Sequence, residues 1–139
     1  MIFIDSDVLI DVALRRSPFW KDAARLLVLV DKGEVEAVTS TLVLSNTLYI
    51  VQKQSNKLTA HEFLAFTLQL LDESPLNFTH LTSSLDSTFT DKEDGFNFYS
   101  AKQLGVKIII SRNIRDYKKG DLPVLSPRAY LQEYFPNYY

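Results

Sequence analysis

The chain contains no cysteine and only two histidines among its 139 residues. The absence of cysteine excludes disulfides, thiolate metal sites and cysteine nucleophiles, and two histidines argue against a histidine-rich zinc site. An excess of basic residues is also missing, because 17 acidic residues against 15 basic ones give a formal net charge of −2. Any nucleic-acid binding would therefore require a local basic patch, and any catalysis must rest mainly on carboxylates.

The sequence also has no long apolar run. The run LLVLV at 26–30 is among the longest, well short of the ~18 residues of a membrane span, and the amino-terminal MIFIDSD has no basic segment of the kind that opens a signal peptide. We therefore expect a cytoplasmic protein that does not enter a membrane, and the absence of cysteine suits that compartment. The length, with 46% hydrophobic and 23% charged residues, predicts one folded domain over residues 1–139.

Strand-like and helix-like segments alternate along the chain, which is typical of an α/β domain with a mainly parallel sheet. Ser17-Pro18 and the capping box of Thr59 with Glu62 are predicted helix starts. We expect strands at 1–4, 35–40 and 106–111, weaker strands at 76–81 and 123–126, and helices at 7–14, 18–33, 41–54, 59–71, 91–104 and from 127 onward. The segment 82–90 is ambiguous. Because ligands bind beyond the carboxyl ends of parallel strands, acids at those ends are the candidates for a site.

Four acids are placed to meet at that edge of the sheet. Asp5 follows the first strand, Asp91 and Asp94 share a face of one predicted helix, and Asp116 follows the strand at 106–111. Each has a purely structural alternative, as a helix cap, a first-turn acid or a loop acid. If they converge, their mutual repulsion needs a cation, and an all-oxygen cluster favours Mg²⁺ or Mn²⁺ and phosphodiester hydrolysis.

Two further groups of residues could support such a site. The first group, polar side chains near the acids, consists of Asp7, Asn46, Ser111 and Asn113. The second group, cations that could contact RNA phosphates, consists of Arg112, Arg115, Lys118 and Lys119. The polar group also has structural interpretations, with Asp7 as a first-turn acid, Asn46 as a buried amide with a hydrogen-bond partner, and Asn113 as a turn residue. For the four cations the alternative is a solvated loop.

Four segments in this order resemble the PIN domain family, and within it the VapC-like toxin ribonucleases. They are FIDSDVLIDV near the start, TSTLVLSNTLYIV in the middle, DKEDGFNFYSAKQLGVKIIISRNIRDY, and VLSPRAYL, covering residues 2 to about 131. The resemblance implies a three-layer α/β/α fold, a Mg²⁺- or Mn²⁺-dependent endoribonuclease site and a small antitoxin protein as partner. It also implies that Asp5, Asp94 and Asp116 are the catalytic and metal-binding acids, with Asp91 as a further metal ligand.

The chain departs from the family pattern at two positions. Asn46 stands where the family usually has a glutamate, and Asn113 stands where Thr-x-Asp often places an aspartate. Neutral amides contribute no charge, so a reduced metal affinity is expected.

Three interpretations therefore remain at this point. The first is an active ribonuclease, and the second is a weakened PIN fold that binds RNA or protein. The third is a haloacid-dehalogenase-like phosphatase, with Asp5 as nucleophile and Asp7 as acid. The apolar helices at 41–54 and 59–71, together with the resemblance, predict a homodimer.

Overall fold

A five-stranded, all-parallel sheet forms the centre of the molecule in the computed structural model, which describes residues 1–138. The strands are β1 (Ile2–Ile4), β2 (Ala37–Thr39), β3 (Asp72–Glu73), β4 (Ile108–Ile110) and β5 (Val124–Leu125), in the order β3-β2-β1-β4-β5. This arrangement confirms the predicted α/β fold with a parallel sheet. β1 and β4 are central and fully buried, which explains why both are continuous apolar runs in the sequence.

Helices flank the sheet in two groups. They are α1 (Ser6–Leu14), α2 (Trp20–Asp31), α3 (Thr41–Gln54), α4 (Lys57–Leu70), α5 (Phe78–Leu85), α6 (Lys92–Leu104), α7 (Ile114–Tyr117) and α8 (Pro127–Tyr134), followed by a 3₁₀ turn at Pro136–Tyr138. Helices α1 to α4 contact one another and α8, whereas α6 packs on α5 and α7. The connections from β1 through β2 to β3 run toward one edge of the sheet, whereas those from β3 through β4 to β5 run toward the other edge. Because parallel crossovers are right-handed, the two groups of helices lie on opposite faces of the sheet.

The strand register determines which side chains meet at the carboxyl edge. Ile4 of β1 pairs with Ile110 of β4, so the residues that follow them, Asp5 and Ser111, leave the sheet side by side. The backbone N–H of Asp5 donates to the carbonyl of Ile110 at 3.0 Å and extends this pairing by one residue. The fold thus places the first predicted acid beside the polar segment that follows β4.

Two of the predicted helix starts are wrong. The backbone N–H groups of Phe19 and Trp20 both donate to the carbonyl of Arg16, so the chain turns at Ser17-Pro18 and α2 begins only at Trp20. The cap of α4 is Asn56, whose side chain accepts from the N–H of Thr59 at 2.8 Å. Asn56 is as good a cap as threonine and comes three residues earlier, so the helix starts before the predicted capping box.

The weak strand at 76–81 is also wrong. Asn77 and His80 form a capping box that begins α5, and this helix extends into the ambiguous segment 82–90 as far as Leu85. The fifth strand is instead β3, immediately after α4. Within residues 1–138, no helix is both long enough and apolar enough to cross a bilayer.

Candidate active site

Asp5 and Asp7 begin α1 at the carboxyl edge of the sheet. Asp5 is the N-cap of α1 and is 6% exposed. Its Oδ1 accepts from the N–H of Ser6 at 2.8 Å, and its Oδ2 accepts from Ser111 Oγ at 2.9 Å. Asp7 Oδ2 accepts from the backbone N–H of Arg112 at 2.9 Å. Asp5, Asp7 and Ser111 are therefore brought together by the β1–β4 pairing, as the sequence predicted.

Asp94 reaches the same place from α6. Asp91 is the N-cap of this helix, and its Oδ1 accepts from the N–H groups of Glu93 and Asp94 at 3.0 and 3.2 Å. The start of α6 is fixed from behind by Asn97, whose side-chain oxygen accepts a buried 2.6 Å bond from Ser40 at the end of β2. The first turn of α6 therefore points Asp94 toward Asp5.

Asp116 and Asn46 lie at the rim of the site. The side-chain nitrogen of Asn113 donates to Asp116 Oδ2 at 2.7 Å, which holds the Asp116 carboxylate on the exposed α7. Asn46 of α3 donates to Ser6 Oγ at 3.3 Å, so the middle helix faces the residue between the two first-strand acids. Asn46 is exposed, so it is not the buried amide that an apolar helix suggested.

Tyr117, which follows Asp116 at the end of the RNIRDY segment, is not among the residues predicted for the site. Tyr117 is fully buried in α7. Its hydroxyl has no hydrogen-bond partner of normal geometry, yet it lies close enough to Asp5 and Asp94 to interact with both electrostatically. Burial, followed by these carboxylates, raises the pKa of Tyr117 well above its usual value, so the hydroxyl stays protonated.

Burial and mutual repulsion raise the pKa values of the acids. Burial, followed by the carboxylates of Asp5, Asp91 and Asp116, raises the pKa of Asp94 from 3.8 to about 7. Burial and then Asp7 raise the pKa of Asp5 to about 6. These interactions bring the four predicted acids into one electrostatic cluster, which we call the acid cluster (Asp5, Asp91, Asp94 and Asp116).

The predicted RNA-binding cations differ in their surroundings. Arg112 is engaged in the protein, because its Nε and Nη2 donate to Asp11 at 2.6 and 3.0 Å. Asp11 has no exposed surface and was not predicted; one turn after Asp7 on α1, it could have been noticed as an acid on an apolar face. The side chains of Arg115, Lys118 and Lys119 are exposed beside the acid cluster.

The site residues can be tested for their fit to a divalent cation. In the part of the chain from Met1 to Tyr138, three buried side-chain polar atoms have no hydrogen-bond partner, and all three are here: Asp7 Oδ1, Asp94 Oδ2 and the Tyr117 hydroxyl. No three acidic or imidazole side chains among those residues are close enough to form a closed metal cage. Mg²⁺ commonly keeps several waters and uses one or two carboxylates, so the donors present fit a hydrated cation held by Asp5 and Asp94.

Comparison with known proteins gives both sequence and structural relatives. Ribonuclease VapC1 of Aquifex aeolicus is 20% identical over 138 residues, which cover 96% of this chain and 94% of the relative. The VapBC2 complex of Rickettsia felis, solved with a promoter DNA fragment, contains a chain with a TM-score of 0.67 and 14% identity over 91% of this chain and 98% of that one. VapC20 of Mycobacterium tuberculosis, a toxin that cleaves the sarcin-ricin loop, has a TM-score of 0.64 and 15% identity over 78% and 87% of the two chains.

The family profile of the PIN domain matches residues 1–115, a range that contains Asp5, Asn46, Asp94 and Asn113. The structural neighbours share its fold at low identity. These findings confirm the resemblance and support the expectation of a phosphodiester-cleaving nuclease, while they speak against the haloacid-dehalogenase-like alternative. The chain belongs to the PIN domain family.

Proposed function

We propose that this protein is a metal-dependent endoribonuclease and the toxin of a toxin–antitoxin pair. The observation that carries the proposal is the state of Asp94, a half-buried carboxylate with one unpartnered oxygen and a pKa raised by burial and by three other acids. Such a cluster is strained when its members are ionised, and a bound cation relieves the repulsion. Nucleases of the PIN family generally use divalent metal ions; Mg²⁺ and Mn²⁺ suit these oxygen donors.

In this proposal Asp5 and Asp94 would hold the cation, and Asp116 and Asp91 would add negative charge beside it, since both interact electrostatically with Asp94. When bound there, a divalent cation would supply an activated water and charge stabilisation for the leaving oxygen of the phosphodiester. Ser111 orients the Asp5 carboxylate through its 2.9 Å hydrogen bond. Burial of Asp5 and Asp94 keeps water from screening their charges.

The RNA substrate would be positioned by cations at the rim. Arg115, Lys118 and Lys119 are exposed on and after α7, within three residues of Asp116. They can contact backbone phosphates in a chain whose overall charge is negative, which favours binding along one groove rather than over the whole surface. Arg112 contributes less to this contact, since Asp11 occupies two of its donors.

A small antitoxin is the proposed protein partner. Support comes from the VapBC2 neighbour, which is a complex of two proteins, and from the VapC1 relative. We also propose a homodimer, because α3 and α4 carry exposed apolar side chains on a shared surface. A cytoplasmic location fits this role.

A second candidate is a PIN fold that binds RNA or protein without cleaving it. Two observations favour it: Asn46 and Asn113 supply no charge, and residues 1–138 contain no cluster of three acids at metal-ligand spacing. The cations at the rim would then bind RNA without hydrolysis. The same experiment separates the two candidates.

The test is RNA cleavage by purified protein in Mg²⁺ or Mn²⁺, and in excess EDTA. We expect cleavage with metal, none with EDTA, and at least a 100-fold loss in Asp5→Asn, in line with the loss of a metal ligand. Asp72→Asn is the matched control, because Asp72 is exposed on the edge strand β3. RNA binding without cleavage in any metal would support the second candidate instead.

A further inference from the structure

A pocket of about 430 Å³ opens beside the acid cluster, between the start of α2, the segment after β4 and the start of α8. Pro18, Phe19 and Pro127 form its apolar walls, and Asp22, Arg112 and Arg128 supply its polar groups. This volume lies in the range of small-ligand pockets, and an apolar lining with a few polar groups is typical of them. None of the residues of the acid cluster lines it.

One wall of the pocket is a fixed aromatic platform. The guanidinium carbon of Arg112 lies 3.9 Å from the centre of the Phe19 ring. Arg112 cannot move freely, because it makes a two-point contact with Asp11, which is itself completely buried and also accepts from Arg16 at 2.9 Å. Phe19 is nevertheless 40% exposed, so a large aromatic side chain is held in one orientation while part of its surface faces solvent.

Asp22 and Arg128 supply the pocket with a hydrogen-bond acceptor and a donor. Asp22 is 6% exposed, and its two oxygens contact Arg25 at 3.4 Å and Arg128 at 3.2 Å. This buried carboxylate and the guanidinium beside it place acceptor and donor atoms next to each other. Nucleobase edges carry complementary donors and acceptors, whereas an aliphatic side chain from a protein would make no hydrogen bond with these groups.

Arg112 links the pocket to the acid cluster through the backbone, since it lines the pocket and directly follows Ser111. The backbone N–H of Arg112 donates to Asp7, and the preceding residue, Ser111, donates to Asp5. A nucleotide seated against the Arg112 side chain would therefore have its backbone leading toward the acids.

We propose that this pocket is a nucleobase subsite, which holds one nucleotide of the RNA next to the scissile phosphate. The base stacks on the Phe19–Arg112 platform and its edge faces Asp22 and Arg128. Stacking on aromatic and guanidinium planes is the usual way in which unpaired RNA bases are bound. The inference rests on the proposed function, and it assigns the substrate's base specificity to Asp22.

The test measures binding of the four nucleoside 5′-monophosphates in excess EDTA, by ligand-observed NMR titration. At least one nucleotide should bind at millimolar concentration, and Phe19→Leu should weaken it by about tenfold or more because the stacking surface is lost. Leucine keeps the apolar volume, so this variant is expected to fold. Phe78→Leu is the control, since Phe78 is 87% exposed on α5. Asp22→Asn should change the order of preference among the four nucleotides.

Several outcomes would overturn the subsite. They are equal affinities in Phe19→Leu and the native protein, no saturable binding of any nucleotide, or saturation by N-acetyl-leucine amide in place of nucleotides. The last result would assign the pocket to a protein side chain. Because EDTA removes cleavage from this measurement, nucleotide binding without RNA cleavage would contradict the proposed function alone, and cleavage with an unaffected Phe19→Leu would contradict the subsite alone.

Discussion

At the scale of the residue, the main feature of the candidate site is that two neighbouring carboxylates differ in how many hydrogen bonds they accept. Asp5 accepts hydrogen bonds on both oxygens, from Ser6 and Ser111. Asp94 has a buried oxygen with no partner. An unpaired buried oxygen beside other acids destabilises the metal-free protein. Protonation of Asp94 and binding of a cation to it should therefore both stabilise the folded state.

The first prediction concerns the stability of the metal-free protein. The folded-state pKa values of Asp5 and Asp94 are about 6 and about 7, above the usual 3.8. At pH values between the usual pKa and the raised ones, the folded state therefore binds more protons than the unfolded state. The free energy of unfolding should therefore fall as pH rises from about 4 to about 7. Urea denaturation in EDTA at a series of pH values measures the slope, and Asp94→Asn should flatten it. A stability that rises over this range would contradict the shifts.

The second prediction concerns Asn46. In Asn46→Glu, a carboxylate would be added next to Ser6 at the rim of the acid cluster, where it can coordinate a hard cation. We expect Mn²⁺ binding to strengthen by about 1–3 kcal/mol, as for charge-assisted contacts, and the metal-free melting temperature to fall through added repulsion.

A thermal-melt series with increasing Mn²⁺ measures both effects, because ligand binding raises the melting temperature. Asn46→Gln is the control, since it lengthens the side chain without adding charge. An equal response of Asn46→Glu and the native protein would mean that Asn46 is not beside the metal.

At the scale of the element, the position of Asp94 depends on how closely α6 approaches α5. Gly95 follows Asp94 directly, and a Cβ added there would lie 2.0 Å from Ser84 Oγ and 2.9 Å from Ser84 Cβ. Glycine inside a helix usually costs stability relative to alanine; here it permits the contact between the two helices.

We therefore predict that Gly95→Ala destabilises the protein, by about 1–3 kcal/mol as expected for overpacking, and weakens Mn²⁺ binding by displacing Asp94. Because Ser84→Gly removes both clashing atoms, it should restore Mn²⁺ affinity in the double variant, although it also removes the hydrogen bond from Ser84 to the carbonyl of Lys92. Denaturant melts and calorimetry on the single and double variants form a double-mutant cycle. Additive effects of the two substitutions would contradict a direct clash.

The elements also show where sequence reasoning succeeds. β1 and β4 were predictable because central parallel strands are apolar on both faces, and their ends then located Asp5 and Ser111. The roles of Asp11 and Tyr117 could not be predicted in the same way. Asp11 binds Arg112, and Tyr117 interacts with Asp5 and Asp94, so both depend on contacts with distant segments that no local sequence pattern encodes. The start of α2 was mispredicted. Ser17-Pro18 has the sequence of a helix cap followed by a first-turn proline, but the hydrogen bonds to the Arg16 carbonyl form a turn there, and the helix begins later. The acids and the fold were thus accessible from sequence, whereas the network around Arg112 required the structure.

At the scale of the whole molecule, the hairpin of α3 and α4 is the surface that most needs a partner. On these two helices Leu58 and Leu68 are 68% and 62% exposed, and Tyr49 and Phe66 are exposed as well. Grouped apolar side chains of this kind mark association surfaces, and a two-fold dimer is the commonest symmetric solution.

We predict that light scattering gives twice the chain mass of 15.9 kDa. Leu68→Glu should shift the protein toward the monomer, because it would bury an unpaired charge at the contact. Val28→Glu on α2, which is equally apolar and exposed, should leave the dimer intact. A monomer at tens of micromolar for the native protein would refute this prediction.

The proposed nuclease function requires that the acid cluster bind a divalent cation, and calorimetric titration with Mn²⁺ measures this binding directly. The native protein should bind with saturation, and Asp94→Asn should bind at least tenfold more weakly, since removal of a ligand or of the group that orients it has effects of that size. Asp72→Asn should match the native protein. Absence of saturable Mn²⁺ binding by the native protein, or equal binding by Asp94→Asn, would contradict the central claim.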